Sequence, residues 1–443
     1  MTNLNLSNNA FPNEIDDSSE THRLIPGGAH TYSKGDDQFP YVAPRYLEKG
    51  DGATVWDRHG QSFIDWTMGL RSVLLGHNFA PVSEAAIAQI GRGTNFGRPS
   101  YIETELAAEL VELIPCAEMV KFSKDGSTTT TAAIKLARAF TSRRYVAYCS
   151  DNPFFSYDDW FIGTTACNAG VPQEHSDLSL PFSFNDIESL EAQFAAHPND
   201  IAAVILEPCM SEAPKDDFLK KVRALCDREG ACMILDEMIT GFRWHLSGAQ
   251  KMYDVTPDLA TFGKGMANGF SVSALVGRRE IMELGGINHD KLRVFLISTT
   301  HGAENHGLAA ALASIQFFKA NPVVDHIWNI GQQLIDGMNI AAKELGVANS
   351  FSAGGFPCRP EYKCLDKDGV PSAGLRTLFL QELVREGVLL NYITPSWSHG
   401  DAELNATIEA VRKALVIYAQ GLEDGWKNLL IGDPVKPVFR AFN

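Results

Sequence analysis

Three short clusters in this 443-residue chain carry side chains whose types and spacing suit chemistry. The first is Phe262-Gly263-Lys264-Gly265. Glycine on both sides leaves room close to the Lys264 backbone, and a lysine held in a partly desolvated place loses its proton more readily and becomes a nucleophile. By itself the segment reads as an ordinary turn lysine. It is not a phosphate-binding P-loop, because Gly265 and Met266 follow the lysine where that motif needs Ser or Thr. The second cluster is Ile234-Leu235-Asp236-Glu237-Met238. A carboxylate that ends an apolar strand binds a metal, acts as a base, pairs with a protonated ring nitrogen, or simply caps the strand, and a buried one needs a partner. The third is Lys124-Asp125-Gly126-Ser127-Thr128, followed by a helix-forming run to Arg138. A helix start of this type offers free N–H groups and a positive dipole end to a phosphate, although taken alone it reads first as a hydroxyl N-cap without a ligand.

These groups need elements to position them. Continuous apolar runs at 146–149, 201–206 and 231–235 predict buried strands, with short strands added at 259–262 and 272–276. Between them, 218–228 carries Leu219, Val222, Leu225 and Cys226 on one helical face. Apolar strands linked by amphipathic helices indicate an α/β fold with a mainly parallel sheet, in which ligands sit at the C-terminal ends of strands. Upstream, two short runs at 53–57 and 62–65 flank a polar glycine turn and predict a structural hairpin. Helices are expected at 101–114, ended by Pro115, then at 307–318, 323–345 and 402–422. The length exceeds one hydrophobic core. The expected division is an N-terminal arm with strands over 1–75 that packs with a small domain, a large α/β domain over 76–321, and a smaller α+β domain over 322–443.

Composition narrows the partners. A net charge of −16 argues against nucleic acid and anionic membranes. No apolar run reaches the length of a membrane span. Residues 1–19 are polar, lack the basic start and apolar core of a secretory signal, and read as a frayed tail or a partner-clasping arm. Eight scattered cysteines form no C-x-x-C pair, which suits buried thiols in a reducing cytoplasm and gives no metal site.

Taken together the clusters are more specific than apart. A helix end for a phosphate, a strand-end acid for a ring nitrogen and a lysine for an aldehyde are what pyridoxal 5′-phosphate (PLP) requires. At these residues the chain resembles a fold-type I, class III aminotransferase, and is similar in particular to the glutamate-1-semialdehyde aminomutase branch. The resemblance spans most of the chain. Besides the three clusters it is carried by Ile25-Pro26-Gly27-Gly28, Leu75-Gly76-His77-Asn78, Ile205-Leu206-Glu207-Pro208 and Thr240-Gly241-Phe242-Arg243.

The resemblance implies that Lys264 forms the Schiff base and then shuttles a proton, and that Asp236 keeps the pyridine nitrogen protonated. It implies that Gly126, Ser127 and Thr128 cup the phosphate and that Glu207 lies on the substrate side of the ring. Thr300 matches a threonine that reaches the phosphate from the neighbouring subunit, which implies a homodimer with shared active sites. There are departures. Phe154-Phe155-Ser156 stands where the family has Tyr-His-Gly, so Phe154 stacks on the ring without a hydroxyl or imidazole. Met238 replaces a valine on the opposite ring face and remains apolar. Lys34 stands where the aminomutase has a carboxylate-gripping arginine, and Leu70-Arg71 where it has Trp-Gly. Lysine is a point charge, not a bidentate fork. Lys34 and Arg71 are candidates to hold a substrate carboxylate or phosphate, or else they form surface salt bridges; His301, Asn305 and His306 are weaker pocket candidates. These changes point away from glutamate-1-semialdehyde itself. The expected activity is an aminotransferase that moves nitrogen from an amino-acid donor to a carbonyl acceptor such as a sugar-like or phosphorylated aldehyde. The alternative is an aminomutase, which moves the amino group within one molecule. A nucleotide-binding scaffold without chemistry is the third reading, disfavoured by Asp236 and Lys264.

Overall fold

The computed structural model describes residues 17–442; residues 1–16, the greater part of the polar N-terminal segment, lie outside them. The chain divides into two compact units. Among the described residues, the larger holds Ala80–Val324 together with 439–442, and the smaller holds 17–79 and Asp325–Val438.

The larger unit is built on a seven-stranded sheet. Its strands are β1 (Met119–Ser123), β2 (Tyr145–Cys149), β3 (Ser179–Phe182), β4 (Ile201–Leu206), β5 (Cys232–Asp236), β6 (Leu259–Phe262) and β7 (Ser273–Gly277). The spatial order is β1-β7-β6-β5-β4-β2-β3. Neighbours from β6 through β3 are parallel, whereas β7 is antiparallel to both β6 and β1. Strand β1 therefore runs in the same sense as β6, and the C-terminal ends of β1, β2, β4, β5 and β6 share one edge. Every residue of β4 is fully buried, as expected of a strand covered on both faces. The helix Phe218–Glu229 buries Leu219, Val222, Leu225 and Cys226, the apolar face read from its spacing, and ends on Gly230 with φ 67°, a left-handed conformation that glycine adopts without strain.

The smaller unit contains an antiparallel meander, Leu47–Asp51, Thr54–Asp57 and Ser62–Asp65, extended in parallel by Val388–Leu389, and a separate hairpin of Phe351–Phe356 with Arg359–Cys364. Its core collects Trp66, Phe351, Phe379, Leu383, Val411 and Tyr418 from the strands and from the helices Ala373–Arg385 and Asp401–Gln420. Trp66 stacks on the buried His399 at 4.0 Å, and its Nε1 donates to Thr407 Oγ1 at 2.9 Å. Burial drives the His399 imidazole down to about 3, against a weaker opposing pull from Asp65.

The long periodic segments form helices at Tyr101–Leu113, Asn305–Ala320 and Val323–Glu344, close to the spacing in the sequence. The strands that local pattern leaves undeclared are short or interrupted. Lys121 breaks the apolar run of β1, Pro181 lies within β3, and Gly354 and Gly355 make Phe351–Phe356 read as a loop. Pairing to a neighbour, not propensity, makes each of them a strand. All eight cysteines are free thiols, and only Cys167 is exposed. Among the described residues, no helix is long and apolar enough to cross a membrane.

Candidate active site

Asp236 is the last residue of β5 and is 4% exposed. Its Oδ1 accepts from Met238 N at 3.0 Å and from Thr261 Oγ1 at 3.1 Å, and Thr261 stands opposite it on the neighbouring strand β6. Burial pushes the Asp236 carboxyl above the ordinary carboxylate range, while the charge of Lys264 and these two hydrogen bonds pull it down. The balance stays upward, so a carboxylate at this place lacks enough positive charge around it. Lys264 follows β6 by two residues, is half-buried, and has φ 45°, a left-handed conformation that costs a lysine of order 1–3 kcal/mol and persists only where the surroundings enforce it. The acid and the amine thus stand at the ends of adjacent parallel strands, within electrostatic reach.

Glu237, next in sequence, has a different task. Its carboxylate accepts from the amides of Ala249 and Gln250, both at 2.8 Å, and from the Thr240 hydroxyl, all buried. It anchors the turn after β5.

The helix Gly126–Thr141 begins at the end of β1. Asp125 is its N-cap and accepts from Thr128 N at 2.8 Å and from Thr128 Oγ1 at 3.1 Å. The Thr128 amide is therefore engaged, and the helix-end amides of Gly126 and Ser127 are the ones left without an intrahelical partner. Ser127 Oγ accepts from Tyr157 N at 3.1 Å, and Thr130 Oγ1 donates to Phe155 O at 3.0 Å, which tie the helix start to the loop after β2. Ser273 Oγ, from β7, donates to Asp125 O at 2.7 Å and fixes the other side.

Met238 joins the clusters. A Cβ added at Gly126 would lie 3.0 Å from Met238 Sδ, and one added at Gly263 would lie 2.7 Å from it. The helix start, the turn after Asp236 and the segment before Lys264 converge on that thioether. Glycine at 126 and 263 lets the Met238 side chain pack directly against both backbones, where single methyl groups would crowd it.

Phe154, after β2, is 44% exposed, and Phe155 beneath it is buried. Phe161 meets Phe154 edge-on at 5.9 Å and Phe155 edge-on at 5.5 Å. Glu207, after β4, is 5% exposed, and its amide donates to Asn152 Oδ1 at 3.2 Å. Asn152 Nδ2 is buried without a hydrogen-bond partner. Thr300 is exposed, and its carbonyl accepts from Asn95 Nδ2 at 3.0 Å. Nearby, Glu304 pairs with Lys124 and lies 3.6 Å from His301. Asn305 is buried and His306 meets Phe270 edge-on at 6.3 Å. Lys34 and Arg71 belong to the smaller unit. Lys34 closes the short turn Tyr32–Lys34, and Arg71 ends a left-handed turn with its guanidinium 5.1 Å from the Tyr392 ring.

The larger unit therefore brings Lys264, Asp236, Gly126, Ser127, Met238, Phe154 and Glu207 to one edge of its sheet. Three further residues shape that edge. Thr261 is a hydroxyl in an otherwise apolar strand ahead of Lys264, a signal present in the sequence. Asn152 and Ser273 carry no such signal.

The arrangement fits a phosphorylated pyridine aldehyde: helix-end amides for a phosphate, a buried acid for a protonated ring nitrogen, an amine for the aldehyde, and an apolar thioether where the three segments converge. The class-III aminotransferase family model matches residues 32–415. A 3-aminobutyryl-CoA aminotransferase of Cloacimonas acidaminovorans is 32% identical over 412 residues, 89% of this chain and 95% of that protein. A glutamate-1-semialdehyde 2,1-aminomutase of Natronomonas pharaonis is 32% identical over 440 residues, 88% of this chain and 97% of that protein. Among solved structures, the PLP-bearing FumI protein of Sphingopyxis sp. MTA144 superposes with a TM-score of 0.84 at 25% identity, covering 94% of this chain and 97% of that one. The chain belongs to the class-III aminotransferases, with the fold-type I architecture and PLP as its cofactor.

Proposed function

We propose that this chain is an aminotransferase that takes nitrogen from an amino-acid donor and gives it to a carbonyl acceptor, with Lys264 and Asp236 as its catalytic pair. The observation that carries the reading is the buried Asp236 beside Lys264 at the ends of adjacent strands. Bound PLP supplies an electron sink in conjugation with the carbon that bears the amino group. Lys264 Nζ would hold the cofactor aldehyde and, once a substrate amine has taken its place, move a proton to and from the substrate carbon. Asp236 Oδ would keep the ring nitrogen protonated, positioned by Met238 N and Thr261 Oγ1. Gly126 and Ser127 amides, with Thr128 beside them, would hold the phosphate; Phe154 and Met238 would cover the two ring faces, and Glu207 would border the substrate side.

Thr300 would serve the phosphate of a second copy, in a homodimer with shared sites. Its exposure in one chain is compatible with such a part. Lys34 and Arg71 would grip an anionic group of the substrate, and their replacement of the aminomutase residues favours an acceptor such as a sugar-like or phosphorylated aldehyde in the cytoplasm. The two relatives are named for different substrates and different reactions, one an aminotransferase and the other an aminomutase. Mixing the holoenzyme with a single amino substrate separates these readings. A transferase stops after one half-reaction, with the nitrogen held on the cofactor, until a carbonyl acceptor is added, whereas a mutase turns over without one. Borohydride reduction followed by peptide mapping tests the site. Label on Lys264 is expected; label on another lysine overturns the assignment.

A further inference from the structure

The segment from Phe439 belongs to the larger unit and not to the unit that precedes it in the chain. A ring contact and a hydrogen bond tie it there. The Phe439 ring stacks on Phe154, with centroids 6.4 Å apart and planes at 27°. One residue on, the carbonyl of Arg440 accepts from Cys167 Sγ at 3.4 Å. Phe439 is itself half-buried.

Phe154 needs such a neighbour. A phenyl ring has no polar atom to fix its orientation, so packing alone sets the tilt at which it faces a stacked ring. On the protein side Phe161 meets it edge-on at 86°, and Phe161 is in turn braced edge-on by Phe155 and Tyr148. That edge-on contact sets the ring from the protein side. With 44% of its surface exposed, Phe154 is covered by the protein over only part of its ring. Phe439 supplies a second restraint from a segment remote in sequence.

We propose that Phe439 is a positioning residue of the cofactor site: it holds Phe154 at the tilt that stacks on the PLP ring. This rests on the assignment of Phe154 to a ring face made above. The ring of Phe439 takes no part in the chemistry and acts through Phe154, and the Cys167–Arg440 hydrogen bond keeps its segment in register.

The test titrates apoenzyme with PLP for the wild type and for F154A, F439A, F439Y and the F154A/F439A double variant. Cofactor absorbance, induced circular dichroism and thermal unfolding are recorded together. F439A is expected to weaken PLP binding ~2- to 10-fold, the span of one aromatic pair, to reduce the induced dichroism, and to leave apoprotein unfolding near the wild type. F439Y restores both signals. In the F154A background F439A adds nothing, because the ring it positions is gone. The proposal is overturned if F439A leaves affinity and dichroism unchanged, if its effect adds in full to that of F154A, or if it tightens PLP binding, which would mean that Phe439 blocks the slot. Should F154A itself change neither signal, the proposal falls together with the ring-face assignment, while borohydride labelling of Lys264 still reports on the wider catalytic reading.

Discussion

Asp236→Asn separates the chemical part of this carboxylate from its structural part. Asparagine keeps an oxygen that can accept from Met238 N and Thr261 Oγ1, so the local hydrogen bonds at 3.0 and 3.1 Å need not be lost. What disappears is the negative charge. Burial raises the folded-state value of Asp236 above its ordinary range in spite of Lys264. In the apoprotein this carboxyl therefore binds its proton more tightly folded than unfolded. Its contribution to stability is fullest below the unfolded value, about 4, and is lost as pH rises through the folded value. D236N removes that loss, so the apo variant is expected to be at least as stable as the apo wild type at neutral pH. With cofactor bound the order reverses. A protonated ring nitrogen facing a neutral amide is a broken buried pair, which costs about 3–5 kcal/mol, or ~10²–10⁴-fold in the rate of the half-reaction. The assay is stopped-flow absorbance with one amino donor, alongside thermal unfolding of apo and holo forms across pH. A variant whose half-reaction stays within about tenfold of the wild type, or whose apo form is less stable than the wild type at neutral pH, would refute the reasoning.

Two further perturbations test the surrounding structure. Gly263→Ala puts a methyl group 2.7 Å from Met238 Sδ, and overpacking of this kind costs about 1–3 kcal/mol; chemical denaturation should show the loss, and adding Met238→Ala should recover part of it, whereas an unchanged midpoint for the single variant would count against the convergence of these segments. His399 is buried neutral with its value driven down to about 3. A histidine lowered in the folded state contributes stability above its unfolded value near 6.5, lost as pH falls toward the folded one, with a slope of up to about 1.4 kcal/mol per pH unit. His399→Gln should flatten the acid limb of the stability curve between those values, and an identical limb would show that the imidazole already carries its proton.

Much of the candidate site was legible because its signals are local. A strand covered on both faces must be apolar throughout, so β4 and β5 stand out, and a polar group at the end of such a run is conspicuous; Glu207 and Asp236 both sit there. Gly263 and Gly265 mark Lys264 for the same reason: neighbours in the chain report on the space around it. The start of the helix at Gly126 announces itself through its capping residues, although the structure shows Asp125 engaging the Thr128 amide, which spacing does not reveal.

The sequence by itself determined the class of fold, the residues with chemical capacity and the cofactor they suit, because amphipathic period, strand-end polarity and turn composition are properties of short stretches of chain. Only the tertiary structure decided which distant residues meet. It set Thr261 against Asp236, brought one methionine sulfur between two glycines from different segments, made strands of runs too broken to declare themselves, and returned Phe439 to the ring of Phe154. Each of these contacts joins positions far apart along the chain, and its energy exists only after folding has closed the loop between them.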